Sequence, residues 1–318
     1  MRLCRYESQS QTHIGFYLDT HVLPLRTAFL KYNQPELAAE VERLACTLPF
    51  LPPSGMHWKA ASKIAMEMES SDRSGDANAM LAIEQIRLLP PIARPNKLLL
   101  LAGNYTEHIH EQGDRSAERE QTFPYVFSKP PSTTLIGSGA DFCIPSISPH
   151  KIDYELELGV IIGKTCRAIA ADDALAYVAG YTVINDISDR GFRPNPHRQE
   201  RPRDKHFDWL HGKWHDRSCP CGPCIVTADA IDDPQSLSMQ LSIDGELRQN
   251  ASTNQQVFTV AEVIAFISSF VTLEAGDIIS TGTPAGVGNA TGRYLQPGQL
   301  VRAAIEKIGT LETKIVGD

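Results

Sequence analysis

Short runs in which apolar and polar positions alternate cover most of the chain beyond residue 96, and turn residues separate them. Such alternation predicts strands, because successive side chains of a strand point to opposite faces of a sheet. The runs that fit a strand are Lys97–Leu101, Pro124–Phe127, Glu155–Ile162, Tyr181–Ile184, Cys224–Thr227, Ser238–Ile243, Glu246–Gln249, Asp277–Thr281 and Leu300–Ile305. Between two of them, Asp244-Gly245 favours the positive φ angles of a tight hairpin. The pattern predicts a β-rich mixed domain.

Helical periods are fewer than strand-like runs. One helix is predicted over Pro35–Leu48, because a proline suits its first turn and apolar residues recur on one face. Two more are predicted over Asp172–Val178 and Thr259–Phe270. In the last of these, Thr259 and Glu262 have the spacing of a capping box. The fold class that follows is α+β and rich in β structure.

A proline-rich stretch from Leu88 to Pro95 divides the chain. Its prolines keep the backbone extended and stiff, which is typical of a connector. We therefore place a boundary there. Residues 1–88 are expected to form a small N-terminal accessory domain, and residues 89–318 the main domain.

Composition and charge exclude several classes of protein. The 318 residues carry a formal net charge of −8, whereas nucleic-acid binding needs a clustered basic surface. No run stays apolar over the roughly 18 residues of a membrane span, and the first residues lack the apolar run of a signal peptide. We therefore expect a cytoplasmic protein that binds neither nucleic acid nor a membrane. Seven cysteines, an odd number, indicate free thiols rather than disulfides.

Two carboxylates lie in one predicted strand, at Glu155 and Glu157. Alternation places them on the same face, about 6.5 Å apart along the strand. The strand continues as an apolar run, which indicates burial, and two buried like charges repel and lose their hydration. A bound cation would remove both problems. A solvated edge strand is the alternative interpretation of these two residues.

A third carboxylate, Asp186, favours a bound cation over a solvated edge strand. It ends the apolar run that begins at Tyr181. Three carboxylates with no histidine nearby suit a hard divalent cation such as Mg²⁺ or Mn²⁺, with open positions left for water or substrate.

The segments around these carboxylates resemble the metal-binding signature of the fumarylacetoacetate hydrolase superfamily. Further matches follow in the order typical of that family, and the resemblance covers about residues 88–318. The matching segments are Gly103-Asn104-Tyr105, Ser128-Lys129-Pro130, Asp153-Tyr154-Glu155-Leu156-Glu157-Leu158, Asn185-Asp186-Ile187-Ser188, Gly212-Lys213 and Gly282–Gly288. The resemblance implies a mixed β-sandwich roll with a small N-terminal β domain, a catalytic domain over residues 89–318, a homodimer, and a small 2-oxo or diketo acid as substrate.

The resemblance also implies catalytic roles. His108 and Glu111 match the dyad that activates water in the family. They stand three residues apart, so on a helical turn they share a face, and a carboxylate beside an imidazole raises its basicity. A surface His–Glu pair is the alternative, and His110 would serve it equally well. Lys213 matches a lysine that faces the developing negative charge of the substrate.

Substrate-binding roles are implied for Arg190, Thr283 and Lys129. A guanidinium can bind a carboxylate through two parallel hydrogen bonds, which suits Arg190 to a 2-oxo acid. Arg193 stands where the family usually has a glutamine. It either favours a more acidic substrate or points to solvent.

Two further segments depart from the family pattern. Residues 194–211 are rich in charge and proline, and we expect a solvated loop, with a lid or a dimer contact as the alternatives. Cys219, Cys221 and Cys224 lie close together with His215 nearby. They are either small buried hydrophobic residues or zinc ligands.

The function expected from these residues is a metal-dependent hydrolase that cleaves a C–C bond in a small diketo acid resembling an acylpyruvate or fumarylacetoacetate. A decarboxylase acting on a substrate such as oxaloacetate, or an isomerase or hydratase of a 2-oxo acid, is the alternative, because all of these reactions share an enolate. A non-enzymatic sensor that uses the cysteine loop is a third hypothesis, and the presence of His108, Glu111 and Lys213 argues against it.

Overall fold

A computed structural model describes residues 1–70, 79–111 and 121–317 of the chain. The strands in these ranges are β1 (Arg2–Ser8), β2 (Gln11–Tyr17), β3 (His21–Pro24), β4 (Leu81–Ala82), β5 (Arg87–Leu89), β6 (Leu98–Ala102), β7 (Tyr125–Ser128), β8 (Leu135–Ile136), β9 (Asp141–Cys143), β10 (Ile152–Asp153), β11 (Leu156–Ile162), β12 (Val178–Asn185), β13 (Ser188–Asp189), β14 (Cys219–Thr227), β15 (Ser238–Ile243), β16 (Glu246–Ser252), β17 (Ile278–Ser280), β18 (Leu300–Ile305) and β19 (Gly309–Val316). The helices are α1 (Leu25–Lys31), α2 (Pro35–Leu44), α3 (Trp58–Ser70), α4 (Thr106–Glu111), α5 (Pro131–Thr134), α6 (Ala171–Ala174), α7 (Asp204–His211), α8 (Val260–Phe270) and α9 (Gly288–Thr291). Within the same ranges, every helix is too short or too polar to cross a membrane.

Most of these strands belong to a 12-stranded sheet. Its continuous order is β4-β3-β2-β1-β14-β12-β11-β17-β6-β7, and β5 and β8 pair with β1 and β14. At its centre β11 lies between β12 and β17, both antiparallel to it. Every residue of β11 and β12 is buried, which is typical of strands covered on both faces and explains their nearly continuous apolar runs.

A 5-stranded sheet in the order β16-β15-β18-β19-β9 covers one face of the large sheet. Leu241 and Val301 from the smaller sheet share a hydrophobic core with Leu158 and Val183 from the larger one, and Ile264 of α8 joins them. Two sheets that face each other across one core form a β-sandwich. The predicted α+β, β-rich fold class is therefore confirmed.

The N-terminal strands continue the large sheet, because β1 pairs with β14 in the register Arg2↔Val226 and Leu3↔Ile225. A second core lies between the N-terminal helices and the other face of the sheet, where Phe29 and Phe50 join Ile161. Residues on both sides of position 88 thus share a sheet and a core. The division of the chain at that position stays a prediction.

Local signals predicted several elements well. Strands β15 and β18 begin and end where the alternation places them, and the turn residues Asp244 and Gly245 have φ angles of 50° and 85°. Both hydrogen bonds of the capping box of α8 are present. Helix α2 ends at Leu44 rather than at Leu48, because Ala45 adopts a left-handed backbone conformation that stops the helix.

Two stretches differ from expectation. The expected solvated loop over residues 194–211 ends in the helix α7, which brings Trp209 to a cavity described below. Strand β14 begins at Cys219 rather than at Cys224, and its first residues pair with β8 and with β12. Proline and glycine disfavour a strand locally. The strand forms here because partners from distant parts of the chain pair with these residues.

Candidate metal centre and active-site cavity

The three predicted carboxylates meet at one end of β11 and β12. Glu155 directly precedes β11, Glu157 lies in it, and Asp186 directly follows β12. The register Leu156↔Asn185 sets the two strand ends side by side, and the Asp186 amide donates to the Glu155 carbonyl at 2.9 Å. One oxygen from each carboxylate lies within 4.8 Å of the others, and all three side chains are buried. The alternative of a solvated edge strand is therefore wrong.

Glu157 gives the clearest indication of a cation-binding site. Its Oε2 accepts hydrogen bonds from Ser280 Oγ at 2.6 Å and from the Gly282 amide at 2.9 Å. Its Oε1 is buried, and no group of the described residues donates to it. Burial, together with Asp186 and Glu155, raises the pKa of Glu157 well above its usual value. A buried carboxylate oxygen without a partner, beside two further carboxylates, fits a hard divalent cation.

Two buried lysines bind the same carboxylates. Lys213 Nζ donates to Glu155 Oε2 at 2.8 Å and to Asp186 Oδ2 at 2.6 Å. Lys129 Nζ donates to Asp186 Oδ1 at 2.6 Å and to the carbonyls of Ile187 and Ser218. Both oxygens of Asp186 therefore accept from ammonium groups on opposite sides.

Arg190 links a fourth carboxylate, that of Asp153, to the three candidate metal ligands. Its Nε donates to Asp153 Oδ2 at 3.0 Å, and its Nη2 binds Glu155. Although burial opposes the charged form of the guanidinium, Glu155 and Asp153 raise its pKa. Four buried carboxylates thus face three cationic side chains, and the excess of negative charge again favours a bound cation.

Sequence reasoning did not single out Asp153 as a site residue. Its carboxylate accepts from the amides of Gly288 at 2.5 Å and Asn289 at 3.0 Å as well as from Arg190. It therefore holds the loop after β17 and orients Arg190 toward Glu155. Its place two residues before Glu155 in the matched motif was a signal that it belongs to the site.

The predicted dyad forms in α4. His108 Nδ1 lies 2.8 Å from Glu111 Oε1, and Glu111 Oε2 accepts from the Gly286 amide at 2.9 Å. Gly286 has a φ of +102°, and a Cβ there would lie 2.2 Å from the Arg248 carbonyl oxygen, so only glycine fits. Although burial opposes the change, Lys213, Arg190 and, to a smaller extent, His108 lower the pKa of Glu155, so the dyad lies beside the carboxylates.

A cavity of about 460 Å³ opens over this group. His108, Glu155, Arg190, Lys213 and Thr283 all line it. The cavity therefore joins the histidine of the predicted dyad, one carboxylate of the candidate metal centre, Lys213 and two of the predicted substrate-binding residues, Arg190 and Thr283, whereas the predicted substrate-binding residue Lys129 does not line it.

Gln249, which sequence reasoning missed, holds Thr283 in this cavity. Its Nε2 donates to Thr283 Oγ1 at 2.9 Å and to the Pro284 carbonyl at 2.8 Å, and its Oε1 accepts from the Leu156 amide. It is a buried polar residue in a strand of the smaller sheet, and a single sequence carries no signal that would have found it.

The family model described as fumarylacetoacetate (FAA) hydrolase C-terminal matches residues 97–316. The chain belongs to the fumarylacetoacetate hydrolase family. This confirms the resemblance, and the matched range contains every predicted site residue.

Members of the fumarylacetoacetate hydrolase family similar to this chain carry different activities in their names. A mitochondrial oxaloacetate tautomerase of Rattus norvegicus is 38% identical over 234 residues, which cover 73% of this chain and 70% of the relative. A 2,4-didehydro-3-deoxy-L-rhamnonate hydrolase of a Sphingomonas species is 34% identical over 257 residues, or 80% and 85% of the two chains. The structure of a Sphingobium maleylpyruvate hydrolase with manganese(II) and pyruvate matches with a TM-score of 0.70 and 26% identity, over 100% of this chain and 99% of the other.

Arg193 is not brought to the cavity in this member of the family. Its half-exposed side chain pairs with Glu200, and it lines a neighbouring space that Arg190, Trp209 and Lys213 also border. Arg190 therefore lies at the carboxylates, whereas Arg193 lies nearer the surface.

The cysteine segment does not form a zinc site. Within the part of the chain that the structure describes, Glu155, Glu157 and Asp186 are the one group of three potential ligands close enough to share a metal. Cys219 and Cys221 point into one core and Cys224 into the other, because alternation in β14 sends them to opposite faces. Burial raises the pKa of the Cys221 and Cys224 thiols to about 12. These residues are free, buried thiols.

Replacing Lys129 by methionine is expected to destabilise the protein by about 3–5 kcal/mol, because Asp186 then keeps only Lys213 of its two buried cationic partners. Asp186 and two carbonyls would lose their buried donor. Urea unfolding with EDTA measures the change, with the exposed Lys59→Met as the matched control. A loss below about 1 kcal/mol would contradict a structural role for the Lys129 ammonium.

Proposed function

We propose that the protein is a Mg²⁺- or Mn²⁺-dependent hydrolase that cleaves a C–C bond in a small diketo acid of the acylpyruvate type. One observation carries the proposal: His108, which is hydrogen-bonded to Glu111, lines one cavity together with the carboxylate of Glu155 and two cationic side chains. A hydrolase needs this combination of a base for water and positive charge for an enolate.

Glu155, Glu157 and Asp186 are the residues that would hold the cation. When bound, such a cation supplies Lewis acidity toward the oxygens of the substrate. The Sphingobium hydrolase that contains manganese(II) and pyruvate supports both a divalent cation and a 2-oxo acid.

The remaining groups then have defined tasks. Arg190 and Thr283 would bind the carboxylate end of the substrate, and the Asp153 carboxylate keeps the guanidinium oriented. His108, oriented by Glu111, would take a proton from water. The resulting hydroxide adds to the carbonyl carbon farther from the carboxylate, and the adjoining C–C bond breaks. The electron pair forms an enolate facing Lys213, and a proton completes the pyruvate product.

Conversion of oxaloacetate between its enol and keto forms is the second candidate. The 38% identity to the rat oxaloacetate tautomerase favours it. In that reaction His108 would move a proton between the substrate oxygen and carbon atoms, and no water would be consumed. Decarboxylation, isomerisation or hydration of a 2-oxo acid would use the same enolate.

A substrate panel separates the candidates. Protein stripped with EDTA is assayed with acetylpyruvate, longer acylpyruvates and oxaloacetate, before and after Mg²⁺ or Mn²⁺ is added. We expect metal-dependent release of pyruvate and a second acid from the acylpyruvates. Conversion of oxaloacetate alone would support the second candidate, and carbon dioxide release from it would indicate a decarboxylase. The hydrolase proposal fails if the metal-loaded protein cleaves none of the acylpyruvates.

We also propose a homodimer in the cytoplasm. Exposed aromatic side chains at Phe123, Tyr125 and Phe270 lie beside β7, the terminal strand of the large sheet, and support association of two copies through this side. Light scattering of the purified protein tests the assembly. Cell fractionation tests the location, since several relatives are mitochondrial by name.

A further inference from the structure

A buried carboxylate close to the active-site cavity takes no part in the mechanism proposed above. It belongs to Asp189, the last residue of β13, whose side chain is fully buried. Its Oδ1 accepts from Ser148 Oγ at 2.9 Å and from the Gly191 amide at 2.9 Å. Its Oδ2 lies 3.0 Å from His215 Nε2. Asp189 therefore ties together its own turn, the loop of Ser148 and the segment of His215.

The contact with His215 is a hydrogen bond that the imidazole donates. An ionised carboxylate can only accept, so Nε2 carries the proton. Among the described groups that bind the Asp189 carboxylate, His215 is the one able to become positively charged. The ring of Phe192 packs against the imidazole in a T-shaped contact, with the two ring centroids 5.2 Å apart. The histidine close to the cysteine segment thus has a buried carboxylate as its partner.

The Asp189–His215 pair connects the segments that carry Arg190 and Lys213. Arg190 directly follows Asp189, and Lys213 lies two residues before His215. The Asp189 amide donates to the Gly212 carbonyl at 2.9 Å, and a Cβ at Gly212 would lie 2.2 Å from the Asp189 carbonyl oxygen. The two backbones are therefore in direct contact, and the side-chain pair joins them a second time.

The spacing of these two segments matters because Arg190 and Lys213 act on the same space. Arg190 Nη2 and Lys213 Nζ both bind Glu155, and both side chains line the active-site cavity. An anion in the cavity can meet both positive charges only while the two segments keep their separation. A displacement of about 1 Å in such a site can cost roughly 100-fold in rate.

We propose that Asp189 and His215 form a positioning pair that sets the separation of Arg190 and Lys213. The pair thereby controls how strongly the site binds the anionic end of its substrate. This inference rests on the proposed function, which supplies the roles of Arg190 and Lys213. Neither Asp189 nor His215 is among the residues that line the active-site cavity, so the pair acts through the two cations.

Two replacements of His215 separate the hydrogen bond from the packing of the ring. Phenylalanine keeps a ring against Phe192 but removes the donor, whereas the amide nitrogen of glutamine can take the place of Nε2 and donate to Asp189. The measurements are the dissociation constant of oxalate, a small dianion used as a probe, from the Mn²⁺-loaded protein, and kcat/KM for the substrate converted best in the panel above.

We expect His215→Phe to weaken oxalate binding by about tenfold and to lower kcat/KM by roughly 10- to 100-fold. His215→Gln should bring both values back to within about threefold of the wild type. Affinity for Mn²⁺ should not change in either variant, because the side chains of Asp189 and His215 bind groups other than the three candidate metal ligands.

His211→Phe is the matched control. His211 is exposed and also packs against Phe192, with ring centroids 6.5 Å apart, but the Asp189 carboxylate is bound by His215 instead. The control should leave oxalate binding and turnover unchanged. Asp189→Asn, which keeps the shape of the side chain, should weaken oxalate binding as His215→Phe does. The double variant should lose little more, because both changes break the same hydrogen bond.

The outcomes distinguish this inference from the proposed function. If His215→Phe and Asp189→Asn bind oxalate as tightly as the wild type and only unfold more easily, the pair is purely structural and the inference is overturned. Equal weakening by His215→Phe and His215→Gln would also overturn it, as would a wild type that binds no oxalate. If His215→Phe does not fold, Asp189→Asn decides. Oxalate binding needs no turnover, so a failure to cleave acylpyruvates would count against the proposed function alone.

Discussion

Replacing Glu157 by glutamine is expected to lower metal-dependent turnover by roughly 10³-fold or more while the protein still folds. The change removes one negative charge from the group of three carboxylates that would hold the cation. The amide oxygen of glutamine can still accept from Ser280 and from the Gly282 amide, which now donate to Glu157 Oε2. The substitution should therefore weaken metal binding without disrupting the fold.

The stability of the metal-free protein provides the internal check. Burial and the neighbouring carboxylates raise the pKa of Glu157, which shifts its carboxyl group toward the protonated form, and glutamine resembles that form. We expect the free energy of unfolding in EDTA to change by less than about 1 kcal/mol. The rise in Tm that Mn²⁺ produces in the wild type should be largely lost, because a ligand stabilises only the state that binds it.

The matched control is Glu84→Gln, which removes a charge from an exposed side chain. It should leave turnover and the Mn²⁺-dependent rise in Tm unchanged. Wild-type affinity for Mn²⁺ in Glu157→Gln, measured by titration, would contradict the three-carboxylate site.

Replacing His108 by alanine is expected to lower acylpyruvate cleavage by about 10²- to 10⁴-fold, the range that a general base contributes. His108 lines the cavity and is held by Glu111, which the Gly286 amide fixes in turn. The carboxylates keep their lysine partners in this variant. Metal affinity should therefore remain close to that of the wild type, which titration and the Mn²⁺-dependent rise in Tm measure.

His110→Ala is the matched control, because His110 lies in the same helix but is exposed and does not line the cavity. It should retain most of the activity. Glu111→Gln should weaken cleavage in the same direction, since it removes the carboxylate that orients the imidazole. If His108→Ala keeps more than half of the wild-type rate, water activation must be assigned to another group. Decarboxylation of oxaloacetate, which needs no attacking water, should be reduced less.

Several parts of the fold and of the site follow from short-range patterns. Alternation along one strand places Glu155 and Glu157 on the same face, because the side-chain period of a strand is two residues. The capping box of α8 and the hairpin at Asp244-Gly245 depend on residues within a few positions of each other. The dyad of α4 likewise joins residues one helical turn apart.

Other predictions failed where distant pairing competes with local preference. Strand β14 includes proline, glycine and cysteine residues that resemble a loop, yet β8 and β12 supply its partners. In the expected solvated loop over residues 194–211, residues 194–203 are mostly exposed, but residues 204–211 form α7, which aromatic contacts such as Phe127 with Trp209 pack against β7.

The sequence by itself determined the family, the fold class, the three carboxylates and the dyad. Each of these follows from a short motif or from the period of apolar and polar residues, and neither depends on contacts with the rest of the chain. Only the tertiary structure decided which groups surround them. The packing of separate segments brings Lys129 and Lys213 to the two oxygens of Asp186, places Gln249 behind Thr283, and leaves Arg193 outside the cavity. Such contacts depend on how strands and helices pack, which local sequence preferences do not specify.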